Sequence, residues 1–360
     1  MKSKSLKLAL YLVMFSVVLI SCNNDDDASA PNIVERDRTE QQLADSDSLI
    51  TYLSTHYYNS SFFETGTNHK YTDIVITELE EGDDVPDGNT LLINAVETHS
   101  TTYLETDYEY YVLKLNQGGG DLPKFTDQIR VRYEGASIAS GEVFDSRATP
   151  ENFMLTGVNA NPGLIRGWQL TLPEFSTSLD FSLNNGIVEY NDYGLGIMFL
   201  PSGLGFYSGT NSGTSYDNLV FKFELLQYEE VDHDGDGIPS HMEDLDDNLY
   251  VLDDDTDEDR AYNYIDVDDD NDGVLTRDEL MAKTYTEDET MNPFMSETAA
   301  QNYFDNNAAS NELFDRIDFN SEDSTYELKT LIIMDSNDNN EPDYLEDTIT
   351  ISYNEEDEDS

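Results

Sequence analysis

The chain has 360 residues, room for about two to three domains at ~100–200 residues each. Eighteen Lys and Arg against 76 Asp and Glu give a formal charge of −58, which excludes nucleic acid as a natural partner because phosphate binding needs clustered cations. One cysteine excludes an internal disulfide and a cysteine-based metal site, while 23 Tyr and 16 Phe supply enough apolar surface for a folded core.

Lys2, Lys4 and Lys7 precede the apolar run Leu8–Ile20. That run falls short of the ~20 residues a bilayer span needs and predicts a signal peptide over residues 1–21. It ends Leu19-Ile20-Ser21-Cys22, which resembles a bacterial lipobox. The resemblance implies lipid on Cys22 and an outer-membrane lipoprotein, either periplasmic or surface-facing. Asn23-Asn24-Asp25-Asp26-Asp27 opens a polar linker over 22–38, as an export-directing acidic tether or as plain solvated spacer.

From about Thr39 to Tyr58 the pattern predicts a helix, with Ser46 or Asp47 as its cap. Leu49, Leu53 and Tyr57 share one face, with Ile50 alongside. Strand-like runs follow at Tyr71–Leu79, Thr90–Val96 and Tyr108–Leu115. Residues 39–107 thus form an N-terminal helix plus strands, either a dimerisation arm or a cover for a sheet edge. Gly118-Gly119-Gly120 is a flexible joint with no Gly-Lys-Ser/Thr after it, so no phosphate loop is expected. A β-rich block runs to Tyr228, an Asp-rich region covers 229–346, and 347–360 is an acidic tail.

The β-rich block carries an ordered set of motifs. Ile129, Val131 and Tyr133 alternate with Arg130 and Arg132, followed by Tyr133-Glu134-Gly135, a turn at Ser140-Gly141 and Val143-Phe144-Asp145-Ser146. Phe153, Leu164-Ile165-Arg166-Gly167-Trp168, Pro201-Ser202-Gly203-Leu204-Gly205-Phe206 and Leu219 to Leu226 complete it. In this order, residues 108–228 resemble the FKBP-type peptidyl-prolyl isomerases. The resemblance implies an α+β fold: a twisted antiparallel sheet wrapped around one short helix that begins near Leu164–Trp168.

The implied chemistry needs no nucleophile. Rotation about an X–Pro bond crosses a barrier of ~18–20 kcal/mol because amide resonance must break, and an apolar cleft that excludes water favours the twisted state. By the resemblance, Trp168 is the pocket floor and Tyr133, Phe144, Phe153, Ile165 and Phe221 are its walls. Leu164 supplies a backbone contact at the rim, and Asp145 is the polar partner, held near the Tyr133 hydroxyl. Outside this register the aromatics read as ordinary core.

Three departures stand out. Phe206 replaces the family's usual tyrosine, with Tyr207 next door. The segment Ser176–Tyr193, with Asn184-Asn185-Gly186, reads as an inserted hairpin, and the loop Tyr207–Asn218 lacks overhanging apolar residues. Peptide binding is therefore better supported than fast turnover.

In the Asp-rich region, Asp232, Asp234, Asp236, Gly237, Ile238, Ser240 and Glu243 fit the twelve-residue calcium loop at positions 1, 3, 5, 6, 7, 9 and 12. Asp268, Asp270, Asp272, Gly273, Val274, Thr276 and Glu279 repeat it. A third copy has Asp335, Asn337, Asn339, Asp343 and Glu346, with Asn340 at the glycine position. A degenerate copy has Asp255, Asp257, Asp259, Asn263 and Asp266, with Arg260 there. The array resembles isolated EF-type loops and thrombospondin type-3-like repeats, which implies two to four structural Ca2+ ions. His233 and His241 occupy non-ligand positions and are expected to face solvent, while His56, His69 and His99 form no triad or zinc pattern.

The leading expectation is a membrane-anchored, calcium-stabilised prolyl isomerase acting on Pro-containing exported polypeptides. The rivals are a non-catalytic chaperone or assembly lipoprotein that binds prolyl segments, and a calcium-dependent surface scaffold.

Overall fold

The computed structural model describes residues 35–158 and 161–354. The expected signal peptide, Cys22, most of the linker and residues 355–360 lie outside the described residues. The chain from Arg38 onward forms one compact unit.

Helix α1 spans Arg38–Thr55 and buries Leu49 and Leu53. It begins ahead of Ser46 and Asp47, so neither caps it. The polar residues here serve a tertiary contact instead: Asp45 is buried and accepts from the Ser202 backbone N–H at 2.9 Å and the Ser202 hydroxyl at 2.6 Å. Ile50 is exposed, and Tyr57 lies outside the helix in β1 (His56–Tyr58). β1 pairs with β2 (Ile76–Glu78) on one side and β3 (Thr90–Leu91) on the other. Two expected strand runs are thus shorter than their patterns suggest. The first opens as a 3-10 turn at Tyr71–Asp73, where the Lys70 N–H donates to Asp73 Oδ2, and the second closes as one at Leu92–Asn94.

Strands β4 (Glu97–Tyr103), β5 (Thr106–Asn116), β6 (Gln128–Ser137) and β7 (Val143–Met154) lead to a small hairpin, β8 (Thr156–Val158) with β9 (Asn161–Gly163). Helix α2 (Arg166–Thr171) follows, then the hairpin β10 (Asp180–Asn184) and β11 (Ile187–Asn191), then β12 (Gly194–Leu200) and β13 (Leu219–Glu229). Asn185 and Gly186 both take positive φ, 51° and 82°, which matches the twist of the two strands they join. The main sheet has six antiparallel strands in the order β4-β5-β12-β13-β6-β7.

Period-two alternation divides this sheet between two cores. Tyr108, Tyr110 and Val112 of β5, Met198 and Leu200 of β12, and Leu219, Phe221, Phe223 and Leu225 of β13 face α2 and Trp168. Tyr111, Leu113, Ile197, Phe199 and Val220 face the other way, onto Leu49 and Leu53 of α1. The N-terminal segment therefore covers a sheet face rather than an edge. Glu224, fully buried, pins the join by pairing with Arg132 at 2.7 Å and accepting the Tyr71 N–H at 3.0 Å.

Beyond Glu229 the chain is more regular than an irregular Asp-rich region. After a single helical turn α3 (Thr276–Glu279), strands β14 (Met281–Tyr285), β15 (Glu312–Asn320) and β16 (Thr325–Ile332) form a sheet with β16 central, and helix α4 (Glu297–Asn307) connects β14 to β15. Ile238, Leu280, Leu313, Leu331 and Tyr344 give it an apolar core, which is why these residues order despite the surrounding charge.

Candidate functional site

The eight apolar positions singled out between residues 133 and 221 come together. Tyr133 on β6, Trp168 on α2 and Phe221 on β13 are buried in the core facing α2, with Phe144, Phe153, Leu164, Ile165 and Phe206 half-buried against them. The Trp168 ring lies 5.2 Å from Tyr133 and 5.3 Å from Phe221, both edge-on, the geometry aromatic quadrupoles favour. Phe153 continues the wall at 5.9 Å from Tyr133, while Phe144 meets Phe221 at 5.6 Å and Phe206 at 5.8 Å. Glycine at 135 is a steric need: a Cβ there would stand 2.4 Å from the Phe221 ring and 3.0 Å from that of Phe144.

Asp145 sits on the polar edge of this cluster. The Tyr133 hydroxyl donates to its Oδ2 at 2.6 Å, and Arg147 pairs with its Oδ1 while also reaching Glu151 at 2.6 Å. Burial first, and Asp145 second, raise the Tyr133 hydroxyl above its ordinary range, so it remains a proton donor. The sequence reading missed Arg147. Its signal was the Asp-x-Arg spacing, which puts both side chains on one face of a strand. Tyr207 does not take over from Phe206: its ring packs edge-on to Tyr216 at 5.0 Å and beneath Arg38 at 4.0 Å.

The Asp loops also converge. Oxygens of Asp232, Asp234 and Asp236 lie within 4.8 Å of one another, and so do those of Asp236, Glu243 and Asp269. Both Glu243 oxygens, both Asp269 oxygens and one each from Asp234 and Asp236 are buried without a hydrogen-bond partner. Burial and mutual repulsion push Glu243 up to about 11, Asp269 to about 9 and Asp234 to about 8. Asp269 stands at the second position of the loop that starts at Asp268, so spacing rules pass over it; the fold carries it into the first loop's cluster. Ile238 is buried beside this cluster, and the Ser240 hydroxyl accepts the His233 N–H at 3.0 Å.

In the loop from Asp268, one oxygen each of Asp268, Asp270, Asp272 and Glu279 is likewise buried and unpartnered, and Glu279 is pushed up to about 9. Val274 N–H donates to Asp272 at 2.7 Å and the Thr276 hydroxyl accepts from Asp269 N–H at 3.2 Å. Asp255, Asp257 and Asp259 cluster in the same way. The third copy differs. Asn337 and Asn339 donate their amides to the two oxygens of Glu346 at 2.9 and 2.8 Å, and Asp343 accepts from Ser336 N–H and the Tyr353 hydroxyl, each at 2.7 Å, so this loop, which opens at Asp335, satisfies itself.

The histidines do not face solvent as expected. His233 is half-buried between the Ser240 hydroxyl at 2.9 Å and the Thr156 carbonyl at 3.1 Å, and burial lowers its pKa. Burial takes His241 down to about 4. The cause is that the loops pack on the β-rich domain, where Tyr264 and Val251 join Phe125 and the Tyr264 hydroxyl donates to the Gly157 carbonyl at 3.0 Å.

Comparison with known proteins adds three kinds of match. An FKBP-type 22 kDa peptidyl-prolyl cis-trans isomerase of Escherichia coli is 32% identical over 118 residues, covering 31% of this chain and 47% of the relative. The chain thus spans about half the length of that relative. A family model described as BamM C-terminal matches residues 233–313. Among solved structures, a peptidyl-prolyl cis-trans isomerase from Pseudomonas syringae pv. tomato is 14% identical with a TM-score of 0.31, over 55% of this chain and 99% of that one. FkpA from Escherichia coli is 24% identical with a TM-score of 0.28, over 38% of this chain and 52% of that one.

Proposed function

We propose that this protein is a peptidyl-prolyl cis-trans isomerase of the FKBP type, acting on Pro-containing segments of exported polypeptides. The observation that carries the reading is the aromatic cluster over Trp168 with the Tyr133–Asp145 hydrogen bond on its edge. The apolar walls strip water from a bound prolyl ring and favour the twisted amide, which is less polar than the planar one. A carboxylate offers about four lone-pair sites, and Tyr133 and Arg147 occupy two, so Asp145 retains acceptor capacity for a substrate N–H. A direct isomerisation assay on the purified protein tests this. Catalysis that is lost in Phe144→Ala and Asp145→Ala supports it, and wild-type protein no faster than the uncatalysed reaction overturns it.

One observation favours a second reading. Phe206 brings a ring but no hydroxyl to the wall it shares with Phe144, which suits a chaperone that binds prolyl segments without turnover. Saturable peptide binding, read by Trp168 fluorescence without isomerisation, would select it.

The Asp loops, on this reading, bind Ca2+ as a structural ion. Orphaned buried carboxylate oxygens fit a hard cation, and an all-oxygen donor set suits calcium. Asp232, Asp234, Asp236, the Ile238 carbonyl, Glu243 and Asp269 would hold one ion. Asp268, Asp270, Asp272, the Val274 carbonyl and Glu279 would hold another. Bound calcium supplies charge neutralisation, coupling folding of the region to binding. Lipid on Cys22 would anchor the protein at the outer membrane, a setting favoured by the BamM C-terminal match. Among the described residues no helix is long and apolar enough to cross a membrane.

A further inference from the structure

Loops starting at Asp232, Asp255, Asp268 and Asp335 share one backbone path. Each takes positive φ at its fourth and sixth residues: Gly235 and Gly237, Glu258 and Arg260, Asn271 and Gly273, Asp338 and Asn340. Starting from Asp244, Asp247 (φ 58°) and Leu249 (φ 64°) do the same. The sixth N–H returns to the first aspartate at 2.9 Å in the loop from Asp232, 3.1 Å in that from Asp255, and 2.8 Å from Leu249 to Asp244. A leucine is disfavoured in this conformation, where its Cβ crowds the following carbonyl oxygen, so something must hold it there.

Asp254 points to what that is. It is only 8% exposed; its Oδ1 accepts the Leu245 N–H at 3.1 Å, and its Oδ2 is buried with no partner. One oxygen of Asp254 lies within 4.8 Å of one each from Asp244 and Asp246, and Asn248 Oδ1 is a further buried, unpartnered acceptor. The arrangement is acceptor-rich, and its donors are all oxygen.

We propose that Asp244, Asp246, Asn248 and Asp254 form a further cation site, which takes Ca2+ and is separate from the sites at the other loops. The proposal rests on the calcium reading of those neighbouring loops. The site also reaches the aromatic cluster. Arg166, 5% exposed, donates to the carbonyls of Leu249 and of Asn248, the latter at 3.3 Å, and lies 5.6 Å from the Tyr103 ring and 5.4 Å from that of Tyr250. Arg166 opens α2, two residues before Trp168. An ion in this loop thus fixes the two carbonyls that hold the pocket helix by its first residue.

Native mass spectrometry of the full chain at saturating Ca2+ tests the proposal against an Asp246→Asn/Asp254→Asn variant. The expected result is one ion fewer in the variant than in the wild type. An unchanged count, with the wild type loaded, overturns this site alone, whereas a wild type that binds no Ca2+ removes the calcium reading and this site with it. Long-wavelength anomalous diffraction from wild-type crystals grown in Ca2+ needs no substitution. A peak among Asp244, Asp246 and Asp254 is expected, and peaks at the other loops with none here overturn the proposal.

Discussion

The Tyr133 hydroxyl and Arg147 hold opposite oxygens of the Asp145 carboxylate, the first at 2.6 Å on Oδ2. The carboxylate is thereby aimed by a buried ring on β6 and steadied by a half-exposed cation on its own strand. Asp145→Ala should lower kcat/KM by about 12- to 160-fold, the range expected for a lost hydrogen bond to a charged group of about 1.5–3 kcal/mol. Tyr133→Phe should have a smaller effect in the same direction. Isomerisation kinetics beside thermal melts check this: lost activity with an unmoved Tm separates a role at the site from a role in folding.

Phe206→Tyr restores a hydroxyl at the wall shared with Phe144. A neutral hydrogen bond is worth about 0.5–1.5 kcal/mol, so a gain of roughly 2- to 12-fold in kcat/KM is expected. No gain would mean that Phe206 does not border the reacting bond.

Helix α1 should matter as much to stability as any core element. Leu53→Ala, at a position with no solvent exposure, should cost about 2–5 kcal/mol in urea unfolding. Asp45→Ala leaves the Ser202 N–H and hydroxyl without an acceptor, at about 1–3 kcal/mol for a stranded buried group. A Leu53→Ala loss below about 1 kcal/mol would mean that the helix is only loosely docked.

The buried carboxyls predict a pH dependence that changes sign with calcium. In chelator, Glu243, Asp269 and Asp234 hold protons in the folded state up to about 11, 9 and 8, whereas an unfolded carboxyl releases its proton near ~4. The folded state binds more protons, so stability is full below ~4 and falls as pH rises through those values. Calcium needs the ionised forms and reverses the trend. Scanning calorimetry should find the chelated protein melting higher at pH 5 than at pH 8 and the calcium-loaded protein the other way round. The same slope in both conditions would remove the cation from the account.

Much of this was legible in the chain. The alternation at Ile129, Val131 and Tyr133 marked a strand, and Asn185-Gly186 marked a hairpin turn, because both signals are local. What stayed hidden depends on distant partners. Leu49 and Leu53 announced a helix with an apolar face but not the sheet face it covers, and Asp45 is one more polar helix residue until Ser202 comes beside it. Asp269 is one more acid in an acidic run until folding carries it to Glu243. The loop at Asp244 escaped notice because its closing carboxylate, Asp254, stands one residue short of the twelfth position at which the pattern places it.

Strand β12 is buried along its whole length, with Met198 and Leu200 turned toward Trp168 and Ile197 and Phe199 turned toward α1. A recombinant fragment cut at residues 108–228 would therefore present Tyr111, Ile197, Phe199 and Val220 to water as one continuous greasy patch, and such patches self-associate. Insolubility of that fragment would report a missing lid rather than a defective aromatic site.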